Sequence, residues 1–535
     1  MTGFSRSLKT GVAVVALAAP MGFAAGQVSA QQPTTLKVVA HSALRVLDPI
    51  LTTAYITRNH AYMVYDTLLA WDDKFKVTPQ MAEKWEISDD KLTYTFTLRD
   101  GLKWHDGQPV TTADIIPSIK RWSERDAMGQ KLMDFVKEMT PVDDKTFKLV
   151  LKEPYGLVLD SLAKVSSNVP FMMPKRLAET KSTEQIGEQI GSGPFKFVQA
   201  EFQPGVKVVW AKNTDYVPRK EPAVWASGGK VAKVDRIEWV NIVDPMTALN
   251  ALINGEIDWI EALPHDLIPI AQSAPNIKIE VQNPLGSHGM LRMNWLHPPF
   301  DNVKIRQAVM YALDQEDYMK AQIGNKDYYQ VCPSMFVCGT PLGSDAGAPP
   351  GMKANIEKAK QLLKEGGYNG MPVVLMAPTD LAAIAAYPQV TLEALKKIGM
   401  NVDYQTMDWQ TLVGRRAKQE APAQGGWNMF HTNWVSADIL NPVMNSGVNG
   451  RGPKEGGWFG WSQDPEMEKM RDAFARETDP AKQKQIAADI QKRAYEQVFF
   501  YPLGQFTGPT AYRNNIKGIL KSPAIHMWNI EKTKG

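Results

Sequence analysis

The chain has 535 residues, a formal net charge of +3 and 44% hydrophobic residues, which is length for about three domains and apolar material for sizeable cores. So small a basic excess excludes recognition of nucleic acid or of an anionic membrane surface by a charged face, and favours a soluble small-molecule ligand. Fifteen tryptophans supply ring surface for cores and for an adaptable cleft alike.

Residues 1–30 have the three parts of a cleavable export signal: Arg6 and Lys9, an uncharged apolar run from Gly11 to Ala25, and small Val28, Ser29 and Ala30 before Gln31. Cleavage after Ala30 is expected. The run falls short of the roughly 20 residues that span a bilayer, and Pro20 and Gly22 interrupt it. No cysteine stands at the cleavage site to carry a lipid. A periplasmic protein without a direct membrane anchor, nearly neutral once Arg6 and Lys9 are removed, is therefore expected, as a monomer.

Leu36 to Ala40 reads as a first strand, and after Leu47-Asp48-Pro49 a helical pattern runs to about Leu69. Thr93 to Arg99 alternates strictly, with Tyr94, Phe96 and Leu98 on one face; Asp100-Gly101 then turns the chain into a strand at Leu102 to His105. Phe147, Leu149 and Leu151 alternate again, and a helix starts near Thr111 with Asp114 in its first turn. Ser192-Gly193-Pro194-Phe195 marks a crossing point. Asp244-Pro245 opens a helix that Gly255 closes, with strands at Ile257 to Ile260 and Ile277 to Val281 after it. From Asn302 the types alternate: helices over 303–322, 355–365 and 387–398, strands at Val373 to Met376 and Val402 to Thr406, and long helical segments from Asp464 to about Gln497. Cys332 and Cys338, six apart in a loop-like stretch, are expected to form a local disulfide that pins a surface loop. A metal at that place would need further ligands, and none is near in sequence.

Catalytic spacing is lacking: there is no Gly-x-Ser-x-Gly, no phosphate loop, no Gly-x-Gly-x-x-Gly and no His-Glu-x-x-His. The eight histidines stand singly, none three or four apart. These patterns predict no enzyme, no cofactor and no metal.

Several stretches, in order, resemble the extracellular solute-binding receptors of peptide-type ABC importers (solute-binding family 5). They are Met81 to Asp90, Leu92 to Arg99, Lys103-Trp-His-Asp-Gly-Gln-Pro109, Gly191-Ser-Gly-Pro-Phe195, Leu252 to Asp258, Pro299 to Asp314 and Ala359 to Tyr368. The resemblance implies an α/β fold: a two-lobed periplasmic-binding-protein clamp of type II, in three sequence domains, with hinge strands between the lobes. Lobe I would comprise 31–70, 193–283 and 505–535, with 71–192 inserted as a small α+β domain, and lobe II 284–504. Ligand would lie between the lobes, closure would bury it, and the permease subunits of the importer would receive it.

In relatives that bind peptides, an aspartate in a Trp-x-x-Asp-Tyr-x-Asp-Pro-like segment holds the ligand's ammonium. The corresponding stretch, Asn433 to Pro442, offers Asp438, one residue further from Trp434 than usual and followed by Ile439 in place of an aromatic. A helix N-cap is the other reading of Asp438. Dipeptide-specific relatives place an arginine just after the strand at Val373 to Met376, where this chain reads Ala377-Pro-Thr-Asp380. Candidate ligand contacts are Asp438, Asn433, Trp434, Trp427 and Trp409, with Asn294 and Ser42 beside them; Trp458 and Trp461 belong to the same tryptophan group. Peptides or a related amine-bearing solute are the expected ligands. The alternatives are a non-peptide solute (opine, sugar oligomer, haem or metal chelate) and, in another class, a periplasmic hydrolase or chaperone.

Overall fold

The structure, a computed structural model, describes residues 33–533 together with Gly11; the export signal otherwise lies outside the described residues. Two large mixed sheets organise the chain. The first has the order Phe195–Phe197, Lys207–Lys212, Arg236–Val240, Thr35–Val39, Trp259–Ile260, Pro509–Arg513, Ile277–Val281. Its centre is parallel, Thr35–Val39 running with both neighbours; Leu36 and Val38 are fully buried on one face, while Lys37 between them is exposed. The second has the order Tyr329–Gln330, Tyr501–Phe506, Ser287–Met293, Met429–Val435, Val373–Pro378, Val402–Met407. A separate antiparallel sheet, Ala82–Ile87, Thr93–Leu98, Thr146–Leu151, Val136–Pro141, forms the body of the inserted region.

The two large sheets are joined by two neighbouring crossings. Ile277–Val281 continues into Ser287–Met293, and Tyr501–Phe506 into Pro509–Arg513. The strands pair on both sides of the crossing, Val281 with Pro509 and Ser287 with Phe506. Gly286 lies between them at φ 70°, where a Cβ would come within 2.4 Å of the Phe506 carbonyl oxygen, so the position admits only glycine.

Local signals explain most element ends. Thr111 and Asp114 form a capping box on the helix Thr112–Ser123. Asp244 caps Pro245–Asn254, and Gly255 ends it at φ 81°. The Asp48-Pro49 turn owes its aspartate to a buried ion pair: Asp48 Oδ2 lies 2.6 Å from Arg121 Nη2, and the carboxylate also accepts from the Ile50 and Ile186 N–H groups. Loop and inserted region are thereby locked together.

Four expectations change. The first helix spans only Tyr55–Val64, because Tyr65 turns extended and the short strands Asp66–Thr67 and Leu69–Trp71 follow. Leu102 to His105 is no strand: Thr93–Leu98 already has a partner on each side, and only the lone bridge Lys103 to Pro109 remains. The span 303–322 is two helices, broken before Asp314, where a new N-cap begins, whereas 464–497 holds helical segments as expected, divided before Asp479-Pro480. Cys332 and Cys338 are disulfide-bonded, but their loop is no surface feature, since Met335, Phe336 and Val337 are buried in the core.

Candidate functional site

The site is assembled from one loop and one helix of the first lobe facing a strand and a helix of the second. After Thr35–Val39 the chain runs through His41 and Thr53 into Tyr55–Val64, nine of whose ten residues are buried. Opposite stands Met429–Val435, ending in Thr432, Asn433 and Trp434. Beside it is the helix Trp409–Arg415, capped by Asp408, whose carboxylate accepts from the Thr411 N–H. Trp409 and Arg416 bracket this helix.

Between them lies a cavity of about 80 Å³, its wall formed by Thr53, Tyr55, Trp409, Arg416, Trp434 and Trp458 among others. A wider compartment of about 460 Å³ adjoins it, sharing Thr53 and Trp458, and reaches Glu124 and Arg125 of the inserted region. A third space, about 480 Å³, opens behind Ala383 near the hinge. The lobes touch across the cleft. Gln410 Nε2 donates to the Ala43 carbonyl at 3.0 Å, Arg45 pairs with Asp408 at 2.9 Å, and Arg451 of the second lobe pairs with Asp134 of the inserted region. The wall has the form of a ligand site: largely apolar rings with few, placed polar groups.

Arg416 is the exceptional polar group. It is 2% exposed, and no carboxylate pairs with it among the described residues. Nη2 donates to Thr53 Oγ1 at 3.1 Å, while Nε is buried without a partner. Its guanidinium lies against Phe459 (4.7 Å), Trp409 (5.7 Å) and Phe430 (5.8 Å). Burial pushes it down to about 9 from 12.5, because an uncompensated charge in a dry environment is unfavourable.

Asp438 is 1% exposed and lies behind the cavity wall. It starts no helix, ending the short 3-10 turn Ser436–Asp438. Oδ2 accepts from the Tyr55 hydroxyl at 2.6 Å and from Ser166 Oγ at 3.1 Å; Oδ1 is buried without a partner. The Tyr55 oxygen in turn accepts from the Val435 N–H at 2.7 Å, so Tyr55 bridges the lobes. Burial pushes the Asp438 carboxyl up to about 6, against the pull of Lys164, Tyr55 and Arg58. Nearby, Glu261 accepts from His41 Nδ1 (2.7 Å) and Asn59 Nδ2 (3.1 Å). Burial acts to raise it, but the His41 ring and hydrogen bonds hold it below the usual range.

Of the residues singled out from sequence, Trp409, Asn433 and Trp434 line the cavity; Asn433 Nδ2 donates to the Ala383 carbonyl at 2.8 Å, fixing the segment that separates two compartments. Trp427 is fully buried and donates to the Arg416 carbonyl at 3.1 Å, so it supports the wall from behind. Asn294 is equally buried, bonded to the Trp427 carbonyl at 3.0 Å, and belongs to the core. Ser42 sits at the lobe contact beside Gln410, outside the cavity wall. Sequence reasoning missed Arg416, Tyr55 and Thr53. Arg416 adjoins Arg415, and only the fold distinguishes the arginine that faces the cleft from the one bonded to the Gly425 and Gly426 carbonyls. Among the described residues no group of three His, Cys, Asp or Glu side chains could hold a metal ion.

The family model for bacterial extracellular solute-binding proteins, family 5 (middle), matches residues 76–452. The chain belongs to this family. A curated relative, named a probable peptide ABC transporter periplasmic-binding protein of Sinorhizobium fredii, is 40% identical over 494 residues, covering 91% of this chain and 92% of its own. A glutathione-binding protein of Pectobacterium atrosepticum is 26% identical over 417 residues, 75% and 74% of the two chains. Among solved structures, a periplasmic binding protein from A. tumefacien R10 in complex with agropinic acid superposes with TM-score 0.79 at 22% identity, covering 94% of this chain and 99% of that one. A dipeptide-binding protein from Pseudoalteromonas sp. SM9913 in complex with Met-Leu gives 0.77 at 20% identity, covering 93% and 100%. The fold of this family-5 member is thus the two-lobed clamp, and its family is one of solute receptors. No helix among the described residues is long and apolar enough to cross a membrane.

Proposed function

We propose that this protein is the periplasmic receptor of an ABC importer, that it captures short peptides between its lobes, and that it hands them to the membrane permease without transforming them. The observation that carries the reading is the interlobe cavity itself: three tryptophan rings, Trp409, Trp434 and Trp458, surround a buried guanidinium that has no carboxylate of its own. A peptide carboxylate would supply the missing partner to Arg416, by the planar two-bond geometry that arginine favours, while the rings accept side chains of varied shape. The 40% identical relative, named for peptide transport, supports the ligand class, and its name supports the periplasmic location. The export signal at 1–30, processed after Ala30, belongs to this reading.

Native mass spectrometry of the protein isolated from its own host tests it. A set of co-purifying masses that fragment as peptides is the expected result. One defined non-peptide mass would replace the peptide by a small carboxylated conjugate, a reading that Arg416 serves equally well.

A further inference from the structure

The charged groups around the cleft are unevenly engaged. Each carboxylate buried beneath it has at least one partner, although Asp438 Oδ1 has none. Asp438 is held by Tyr55 and Ser166, Glu261 by His41 and Asn59, and Asp48 by Arg121. Asp126 is held by Lys164 and by the N–H groups of Met128 and Gly129. The arginines differ. Arg416 has the single bond to Thr53 described above and no ion pair. Arg125, partly buried at the rim of the wide compartment, makes no side-chain hydrogen bond and no ion pair among the described residues, and burial together with nearby Arg121 holds it below its ordinary value. The other titratable group on that compartment is Glu124, which is exposed and so reaches water. His41, on the inner cavity, is already bonded to Glu261.

We infer that the ligand carries two acid groups, one seated on Arg416 among the tryptophans and the second directed into the wide compartment toward Arg125, and that no ligand ammonium is needed to hold it. The inference rests on reading the interlobe cleft as the ligand site, and it names the substrate class: peptides with an acidic side chain, or carboxylated amino-acid conjugates of the same chemistry. An ammonium would have to reach Asp438 Oδ1 behind the cavity wall, since Asp438 lines none of the three spaces and its Oδ2 is held by the Tyr55 hydroxyl, which also bridges to the Val435 N–H. An acid reaching Arg416 displaces no carboxylate and completes a guanidinium whose Nε lacks a partner, and hydrogen bonds between ionised groups are the strong ones. The two compartments share Thr53 and Trp458, so one extended molecule can occupy both.

The test presents the full mature protein with three random tripeptide libraries, free, N-acetylated and C-terminally amidated, and sequences what is captured by mass spectrometry. Captured free peptides are expected to be enriched in Asp and Glu about tenfold over the library. Acetylation should change capture less than about threefold, and amidation should lower it about thirtyfold, one charge-assisted pair being worth roughly 2 kcal/mol. Arg125→Gln should remove the acidic enrichment while the C-terminal preference persists, and Arg416→Met should remove the C-terminal preference; a melting curve for each variant checks folding. Capture without acidic enrichment, or capture abolished by acetylation, overturns the inference. If no tripeptide is captured and the host solute is not a peptide, the peptide reading fails separately: a host solute with two acid groups still supports the inference, and one with fewer overturns it.

Discussion

Replacing Arg416 by methionine should make the protein more stable while destroying its function. The side chain is almost fully buried, and its fall from 12.5 to about 9 corresponds to roughly 5 kcal/mol of disfavour for the charged form. Against this stand one hydrogen bond to Thr53, worth about 1 kcal/mol, and ring contacts with Phe459, Trp409 and Phe430, each worth about 0.5–1 kcal/mol. Methionine keeps an unbranched stem against the same rings and removes the charge, and apolar replacement of buried ionic groups is often stabilising by about 1–4 kcal/mol. A net gain of about 2 kcal/mol should raise the melting temperature by roughly 2 °C in a chain of this length. Calorimetry without ligand measures the gain, and titration with a captured ligand measures the loss, expected at thirtyfold or more. A variant that melts lower than wild type and binds as tightly refutes the reasoning, since Arg416 would then be a structural group. Stability sacrificed at a binding residue is the usual signature of a site kept for function.

Asp438→Asn should change the pH dependence of stability. A carboxyl raised to about 6 from 3.8 keeps its proton longer in the folded state, so its contribution is present below about pH 4 and lost as pH rises through about 6, by roughly 3 kcal/mol. Denaturant unfolding at pH 4 and pH 7.5 should show the variant gaining on wild type at the higher pH; a difference independent of pH would count against the burial described. His60 and His288, lowered by burial to about 4, and His431, lowered to about 3, act in the opposite sense. Their contribution is full above pH 6.5 and lost as pH falls toward 4, so the melting temperature should drop over that range, and His288→Gln should flatten the drop. Replacing Cys332 and Cys338 by serine should lower stability by about 2 kcal/mol from the short loop alone, and by more if Phe336 leaves the core, as the loss of its fluorescence-silent packing would show in amide exchange of 332–338.

Much of the fold was legible because it rests on short-range chemistry. Strict alternation at Thr93 to Leu98, the Asp244-Pro245 start and the Gly255 stop are each decided within a few residues. The break inside 303–322 was not legible because the breaker was itself a good cap: Asp314 begins a new helix without interrupting the apolar period. The site was half legible. Trp409, Asn433 and Trp434 line the cavity; the sequence offered them through the resemblance at Asn433 to Pro442 and the clustering of tryptophans, not through the strand Met429–Val435 or the helix Trp409–Arg415 that carry them. Asn294 and Trp427 lie in the core: they flank the ends of Ser287–Met293 and Met429–Val435 farthest from the lobe crossing, where Met293 pairs with Met429, and sequence does not say which end faces the cleft. Tyr55 was missed because a helix buried all round shows no polar face to mark the residue that reaches the other lobe.

The place of Pro509–Arg513 in the first sheet has a consequence for how the chain folds. That strand lies between Trp259–Ile260 and Ile277–Val281, yet the whole of the second large sheet separates it from them in sequence. Until it arrives, the sheet built from residues 35–281 has a vacant interior position, and two strands lack the neighbour that would satisfy their backbone groups. Residues 35–281 therefore cannot complete the first sheet by themselves, and a truncation after Phe506 should leave a protein that never closes it.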